Sequence, residues 1–235
     1  MATTKGKLIK LTIDGKPVQV PEGTSIWDAA RNIGIDIPVL CHSPRMRPVG
    51  VCRMCVVDIG QRVMAASCVR PCEEGMNVDA SSAKVEKHRK MLTSLLLSDY
   101  PEQSAREIST GNDQLLALAR KFGIEHISLP DGAAGHARGR DLSSPVIAVD
   151  HQACILCDKC IRGCDELQHN NVITRTGKGY AARIAFDLNN PMGESTCVAC
   201  GECMAVCPTG ALTNKPVTSM RAAVGKQRNQ KRGEA

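Results

Sequence analysis

Twelve of the thirteen cysteines in this chain fall into three spaced groups, and the spacing limits the chemistry open to them. Cys154-x2-Cys157-x2-Cys160-x3-Cys164 is repeated as Cys197-x2-Cys200-x2-Cys203-x3-Cys207-Pro208. Three cysteines two residues apart lie on one tight loop, which can aim three thiolates at three irons of one [4Fe–4S] cubane. The fourth cysteine of each run is carried onto the next element, and Pro208, lacking an N–H, stops the local helix. A structural zinc site uses two separated C-x2-C pairs around one tetrahedral ion and has no use for a third cysteine on the same loop, twice over. The third group, Cys41-x10-Cys52-x2-Cys55-x12-Cys68, is wider, and Cys72 is left over.

Disulfides would need an oxidising compartment. Met1 to Lys10 is polar with no apolar h-region, and no apolar run approaches the ~20 residues of a membrane span. The chain is therefore read as cytoplasmic, where thiols stay reduced and a dense cysteine pattern points to metal. Hydrophobic residues make up 43% of the chain but aromatic ones only 2%, so metal ligation is expected to hold part of what rings usually hold. The net charge of +6 is concentrated at one end. From Lys215 onward, Lys215, Arg221, Lys226, Arg228, Lys231 and Arg232 stand against Glu234, which leaves the rest nearly neutral and argues against nucleic acid as partner. Such a tail reads as a solvated, disordered end, or as a docking arm for an acidic partner.

The elements that must position the cysteines can be sketched from pattern. Lys7–Ile13 alternates like a strand, Asp14-Gly15 signals a hairpin, and Pro17–Val20 is the return strand. Thr24 or Ser25 can cap a helix through Ile26, Trp27, Ala30 and Ile33 that stops at Gly34. After the Cys41–Cys55 loop, Val56–Ile59 and Val63–Ser67 read as strands joined at Gly60, so residues 1–80 suggest a β-grasp domain. Residues 81–145 form a helical connector and linker. Val85, Arg89, Leu92 and Leu96 recur at helical spacing, Asn112 can cap a second helix ended by Gly123, and residues 130–145 are linker-like. Residues 146–214 carry the two cysteine runs as an internal repeat with expected pseudo-two-fold symmetry, and residues 215–235 are the basic tail. The fold class is α+β.

Residues 146–214 resemble bacterial two-cluster ferredoxins, in which the fourth cysteine of each run ligates the other cluster. That resemblance assigns Cys154, Cys157, Cys160 and Cys207 to one [4Fe–4S] cluster and Cys164, Cys197, Cys200 and Cys203 to the second. The stretch from Asp165 to Thr196 is longer than such small proteins carry. The first unit departs from the C-x4-C-x2-C of plant-type ferredoxins. Its Ile37-Pro38-Val39-Leu40-Cys41, Gly50-Val51-Cys52-Arg53-Met54-Cys55 and Ala66-Ser67-Cys68 resemble the N-terminal region of the large iron–sulfur subunit of NADH dehydrogenases, NAD-linked hydrogenases and NAD-dependent formate dehydrogenases. This family implies a [2Fe–2S] cluster on Cys41, Cys52, Cys55 and Cys68. Cys72 could replace Cys68 as fourth ligand, but Cys68 gives the family's spacing and Cys72 reads as a small free thiol. The family usually continues with a His-x3-Cys-x2-Cys-x5-Cys segment for an extra [4Fe–4S] cluster. No cysteine lies between Cys72 and Cys154, so that cluster cannot form here, and His88 reads as a helix-surface histidine.

The resemblance implies an electron-transfer subunit with one [2Fe–2S] and two [4Fe–4S] clusters, working beside catalytic flavin/NAD-binding, molybdenum or hydrogenase-type subunits. The chain shows no catalytic site of its own. Apolar residues between the ligands (Ile155, Leu156, Val198, Ala199, Met204 and Val206) are expected to shield the cubanes. Gly177-x-Gly179-x2-Ala182 matches a dinucleotide fingerprint on paper, but the strand-like Ala182–Leu188 follows where the fingerprint needs a helix, so a hairpin turn is expected. The rival from another class is an iron–sulfur redox or oxygen sensor regulating a partner, for which only the basic tail could serve as output.

Overall fold

Alternation makes β1 (Leu8–Ile13), which turns Ile9, Leu11 and Ile13 inward, and Asp14 and Gly15, both at positive φ, reverse the chain into β2 (Lys16–Pro21). The two strands pair antiparallel, as a two-residue Asp-Gly turn favours. In the computed structural model the described residues are 7–124 and 138–216, and they divide between Thr93 and Ser94 into two compact units.

In the first unit, Ser25 caps α1 (Ile26–Asn32) by accepting from the Asp28 N–H. This helix buries Ile26, Trp27, Ala29 and Ala30 in the core, and the Trp27 indole donates to the Ile37 carbonyl. The strands expected over Val56–Ile59 and Val63–Ser67 shrink to a short antiparallel pair, β3 (Val56–Val57) and β4 (Ala65–Ala66). Asp58 leaves that pairing because it bridges to Asp79, and its carboxylate takes the Gly60 N–H. β5 (Asn77–Val78) adds parallel to β1, giving the sheet order β2-β1-β5. α2 (Ala83–Leu97) buries Val85, Arg89 and Thr93, spaced by four residues on one stripe.

The second unit holds α3 (Ala105–Thr110) and α4 (Gln114–Lys121). The cap of α4 is Asp113 and not Asn112: Asp113 accepts from the Leu115 and Leu116 N–H groups, while Asn112 takes the Thr110 hydroxyl. The linker expected over 130–145 lies outside the described residues up to 137, and its later part is not a linker. Arg140–Asp141 forms β6 against β7 (Ile147–Asp150), and the Asp141 carboxylate accepts from the Met192 N–H. α5 (Lys159–Arg162), β8 (Ile173–Thr176), β9 (Arg183–Phe186), α6 (Glu202–Val206) and β10 (Leu212–Asn214) follow.

The strand pairing shows how the repeat is built. β7, before the first cysteine run, pairs antiparallel with β10, after the second. β8, after the first run, pairs antiparallel with β9, before the second. The stretch Asp165–Thr196 thus in part supplies the second of these two strand pairs, a hairpin whose turn holds the glycine pair at 177 and 179, with Gly177 at φ 74°. The chain continues in place past β10: the Lys215 N–H donates to Val146, and its ammonium to the Leu142 and Ser144 carbonyls. Tail residues 217–235 lie outside the described residues. Among the described residues no helix is long and apolar enough to cross a membrane.

Candidate metal centres

In the first unit the loop between α1 and β3 must bring Cys41 to Cys52. Gly50 at φ 62° and Arg53 at φ 59° turn the chain, and a Cβ at Gly50 would stand 3.3 Å from the Val69 methyls. The Cys41 N–H then points at the Cys52 sulfur, 3.3 Å away, and the Cys52 N–H at the Cys41 sulfur, 3.5 Å away. Cys55 and Cys68 sit across the β3–β4 pair with their sulfurs 3.3 Å apart, held there by the Ser67 hydroxyl and N–H on the Cys55 carbonyl. The Cys41 thiol also bonds to Cys68, so the four sulfurs form one network. Bonds from Cys52 and Cys68 hold the Cys41 thiol well below its usual range, and the bond from Cys68 lowers Cys55. The same contacts push Cys52 and Cys68, their partners, upward.

Cys72 stands apart from this network in the apolar core, its N–H on the Thr24 carbonyl, and burial pushes its thiol up to about 11. His88 is exposed on α2, its ring against the Lys84 carbonyl.

In the second unit the two cysteine loops are copies in backbone as well as in spacing. Leu156 and Ala199 stand at matching places with φ 52° and 54°, and so do Asp158 and Gly201 with φ 62° and 81°. These left-handed residues curl each loop so that N–H groups face sulfur: Leu156 to Cys154, Lys159 to Cys157, Met204 to Cys203, and Ala199 to Cys197 at 3.4 Å. The chain then crosses over. The Thr209 hydroxyl donates to the Ala153 carbonyl at 2.7 Å, which ties the segment after Cys207 to the first loop, and the charge of Cys207 is felt by Cys154, Cys157 and Cys160 as well as by Cys203. Cys164 lines one cavity with Cys197, Cys200 and Cys203, along with Ile147, Asn170 and Val172. Where the two runs meet, a Cβ at Gly163 would come within 3.1 Å of Val206.

Burial pushes the Cys154 thiol up to about 11 and Cys203 up to about 12, and raises Cys157 and Cys160 as well. Ligation to iron needs thiolates and would exchange those protons for positive charge. Among the described residues no three His, Cys, Asp or Glu side chains converge as a single-ion site. A cluster instead spreads its thiolates over several irons, so these donor sets fit it. The expected shielding holds for only one loop. Cys154, Cys157 and Cys160 are buried, whereas Cys200 and Ala199 are exposed and Val198 is 64% exposed.

Residues 6–83 match the family described as "2Fe-2S iron-sulfur cluster binding domain", and residues 153–211 the one described as "4Fe-4S dicluster domain". The chain is 37% identical over 214 residues to the NADP-reducing hydrogenase subunit HndD of Solidesulfovibrio fructosivorans, covering 87% of this chain and 36% of that one. It is 35% identical over 211 residues to the alpha subunit of the NADPH-Fe(3+) oxidoreductase of Geobacter sulfurreducens, covering 89% of this chain and 24% of that one. A chain of an NAD+-reducing [NiFe]-hydrogenase in the H2-reduced state superposes with a TM-score of 0.76 at 28% identity, covering 88% of this chain and 87% of that one. The chain is related to the N-terminal iron–sulfur region of these oxidoreductase subunits. It spans about a third or less of the length of the two sequence relatives, and it comprises a [2Fe–2S] domain followed by a [4Fe–4S] dicluster domain.

The second unit contains a feature outside the cysteine motifs. The related subunits' His-x3-Cys-x2-Cys-x5-Cys spacing recurs here as Tyr100-x3-Ser104-x2-Glu107-x5-Asp113. The structure brings these positions together. The Tyr100 and Ser104 hydroxyls both donate to the Asp113 carboxylate, and Ser104 accepts from the Glu107 N–H. The Tyr100 oxygen takes the Gly210 N–H, just past Cys207, and burial raises the phenol well above its usual range. Arg106 adds bonds to the Thr209 and Met204 carbonyls. A hydrogen-bonded brace thus stands at that spacing, and spacing counted without regard to residue type would have found it.

Proposed function

We propose that this chain relays single electrons through one [2Fe–2S] cluster on Cys41, Cys52, Cys55 and Cys68 and two [4Fe–4S] clusters. One [4Fe–4S] cluster takes Cys154, Cys157, Cys160 and Cys207, and the other takes Cys164, Cys197, Cys200 and Cys203. It does so as a cytoplasmic electron-transfer component of a larger complex. The observation that supports the reading is that the Thr209–Ala153 bond draws the segment after Cys207 to the first loop while Cys164 lines one cavity with Cys197, Cys200 and Cys203, as twelve thiols in three groups of four would need. Bound clusters supply one-electron redox steps with little ligand movement, at potentials tuned by burial and hydrogen bonds to sulfur.

The chain's own residues hold the thiols in place and direct backbone N–H groups at them. Ile155 and Leu156 cover the first loop in part, while the exposed edge at Val198, Ala199 and Cys200 is the place for electron exchange with a partner. The names of its relatives point to a complex of the hydrogenase or NADPH-dependent iron oxidoreductase type, and the resemblance noted in the sequence adds NADH dehydrogenase, with a separate catalytic subunit that supplies or takes the electrons.

The test is metal and sulfide analysis with reductive titration of the anaerobically purified protein. About ten irons, matching acid-labile sulfide and three one-electron centres are expected. Stoichiometric zinc with little sulfide would overturn the reading.

A further inference from the structure

Arg89 is a buried cation whose hydrogen-bond partners among the described residues are all neutral. It lies on α2 and is 5% exposed. Its Nη1 donates to the Ala80 carbonyl at 2.9 Å and its Nη2 to the Val56 carbonyl at 2.8 Å, while Nε is buried without a partner among the described residues. Among the described residues no carboxylate forms an ion pair with it. Asp14, the acidic group tied to the same segment, has one oxygen on the Ala80 N–H.

A lone charge in such a place is costly unless something compensates it. Burial lowers the Arg89 pKa, and the negative charge that opposes this most is that of Cys55, ahead of Glu86, Asp14 and Asp36. The contact is direct in sequence, because Val56, whose carbonyl takes Nη2, follows Cys55. One helical turn on, the Thr93 hydroxyl lies 3.8 Å from the Met54 sulfur, on the other side of Cys55. The buried stripe of α2 is therefore pressed onto the three residues centred on a candidate ligand.

We propose that Arg89 sets the potential of the [2Fe–2S] site, raising it by holding a buried positive charge beside Cys55. The proposal rests on the ligand assignment above. Reduction adds one electron, and hence one negative charge, to the site, and a fixed cation stabilises the reduced form over the oxidised one. Because the guanidinium is buried, dissolved salt screens it little. Its two carbonyl bonds and the Thr93 contact fix where the charge sits, so Arg89 acts through Cys55.

The test is an EPR-monitored dithionite titration of the full, cluster-loaded chain, comparing the parent with Arg89→Lys, Arg89→Gln and Arg89→Met. Loss of the charge is expected to lower the reduction equilibrium constant on the order of tenfold, for charges about 12 Å apart at an effective dielectric constant of about 20. That is about 59 mV for one electron, toward more negative potential. Arg89→Lys keeps the charge and is expected to stay near the parent, and the offset of the neutral variants is expected to persist at high salt. A purely structural role would weaken all three variants and leave the midpoint of any loaded cluster unmoved.

A parent-like or higher midpoint in either neutral variant overturns the proposal, and so does loss of the [2Fe–2S] signal from all three. A signal retained in the lysine variant but lost from both neutral ones supports the need for charge. Absence of a [2Fe–2S] signal from the parent chain itself would refute the ligand assignment, a separate outcome.

Discussion

Asp113 is fully buried, and four groups converge on its carboxylate. Its Oδ1 caps α4 through the Leu115 and Leu116 N–H groups at 3.0 and 3.1 Å, while its Oδ2 accepts from the Tyr100 and Ser104 hydroxyls. Asp113→Ala removes all four acceptor contacts. Loss of the cap costs about 1 kcal/mol. Each hydroxyl left without an acceptor in a buried site adds about 1–2 kcal/mol, toward the lower part of the range because each still accepts an N–H bond from Gly210 or Glu107. The total is about 3–5 kcal/mol. With a guanidinium slope of about 4 kcal/mol per molar, that moves the unfolding midpoint down by about 1 M. The assay is anaerobic guanidinium unfolding of parent and variant at matched iron content, followed by circular dichroism and cluster absorbance together. Asp113→Asn keeps the cap oxygen and is expected to lose about half as much. A midpoint shift below about 0.2 M for Asp113→Ala would show that the Tyr100–Ser104–Asp113 group does not brace the unit.

Cys68→Ser is expected to abolish the [2Fe–2S] EPR signal and Cys72→Ser to leave it intact; the reverse pattern would move the fourth ligand to Cys72. Cys207→Ala should damage the cluster of the Cys154 loop, and Cys164→Ala that of the Cys197 loop. A crystal structure in which each run holds its own cluster would refute that crossing. Tyr100→Phe removes one donor to Asp113 and the acceptor of the Gly210 N–H, and is expected to destabilise the protein by about 1–2 kcal/mol in the same unfolding assay. For Asp141, burial raises the carboxyl, but bonds from the Ser143 hydroxyl and the Met192 and Ser143 N–H groups outweigh it, so its pKa lies below the usual carboxylate range. Its stabilisation is therefore present above about pH 4 and lost as pH falls through the lowered value, and Asp141→Asn should flatten that part of the stability–pH curve.

The cysteine spacing, the Asp14-Gly15 reversal, a helix cap at Thr24 or Ser25 and the turn at Gly177 were all legible in the sequence. Each is decided within a few residues: a φ that only some residues tolerate, an oxygen three positions from an N–H, or three thiols on one curled loop. The His-x3-Cys-x2-Cys-x5-Cys spacing was legible too, but it falls on Tyr100, Ser104, Glu107 and Asp113 and not on His88. Other features were decided only by tertiary structure, because they depend on segments far apart in the chain. The bridge from Asp58 to Asp79 cut β3 short, and the pairing of β7 with β10 and β8 with β9 turned part of an apparent insertion into one strand pair of the repeat. Val198 and Ala199 are as apolar as Ile155 and Leu156, yet they face solvent, since exposure depends on what packs over a loop and not on its composition. Arg89 reads in sequence as one more charge on a helix. It became a candidate for tuning a redox centre only when α2 laid it against the Cys55 segment, where among the described residues no carboxylate pairs with it.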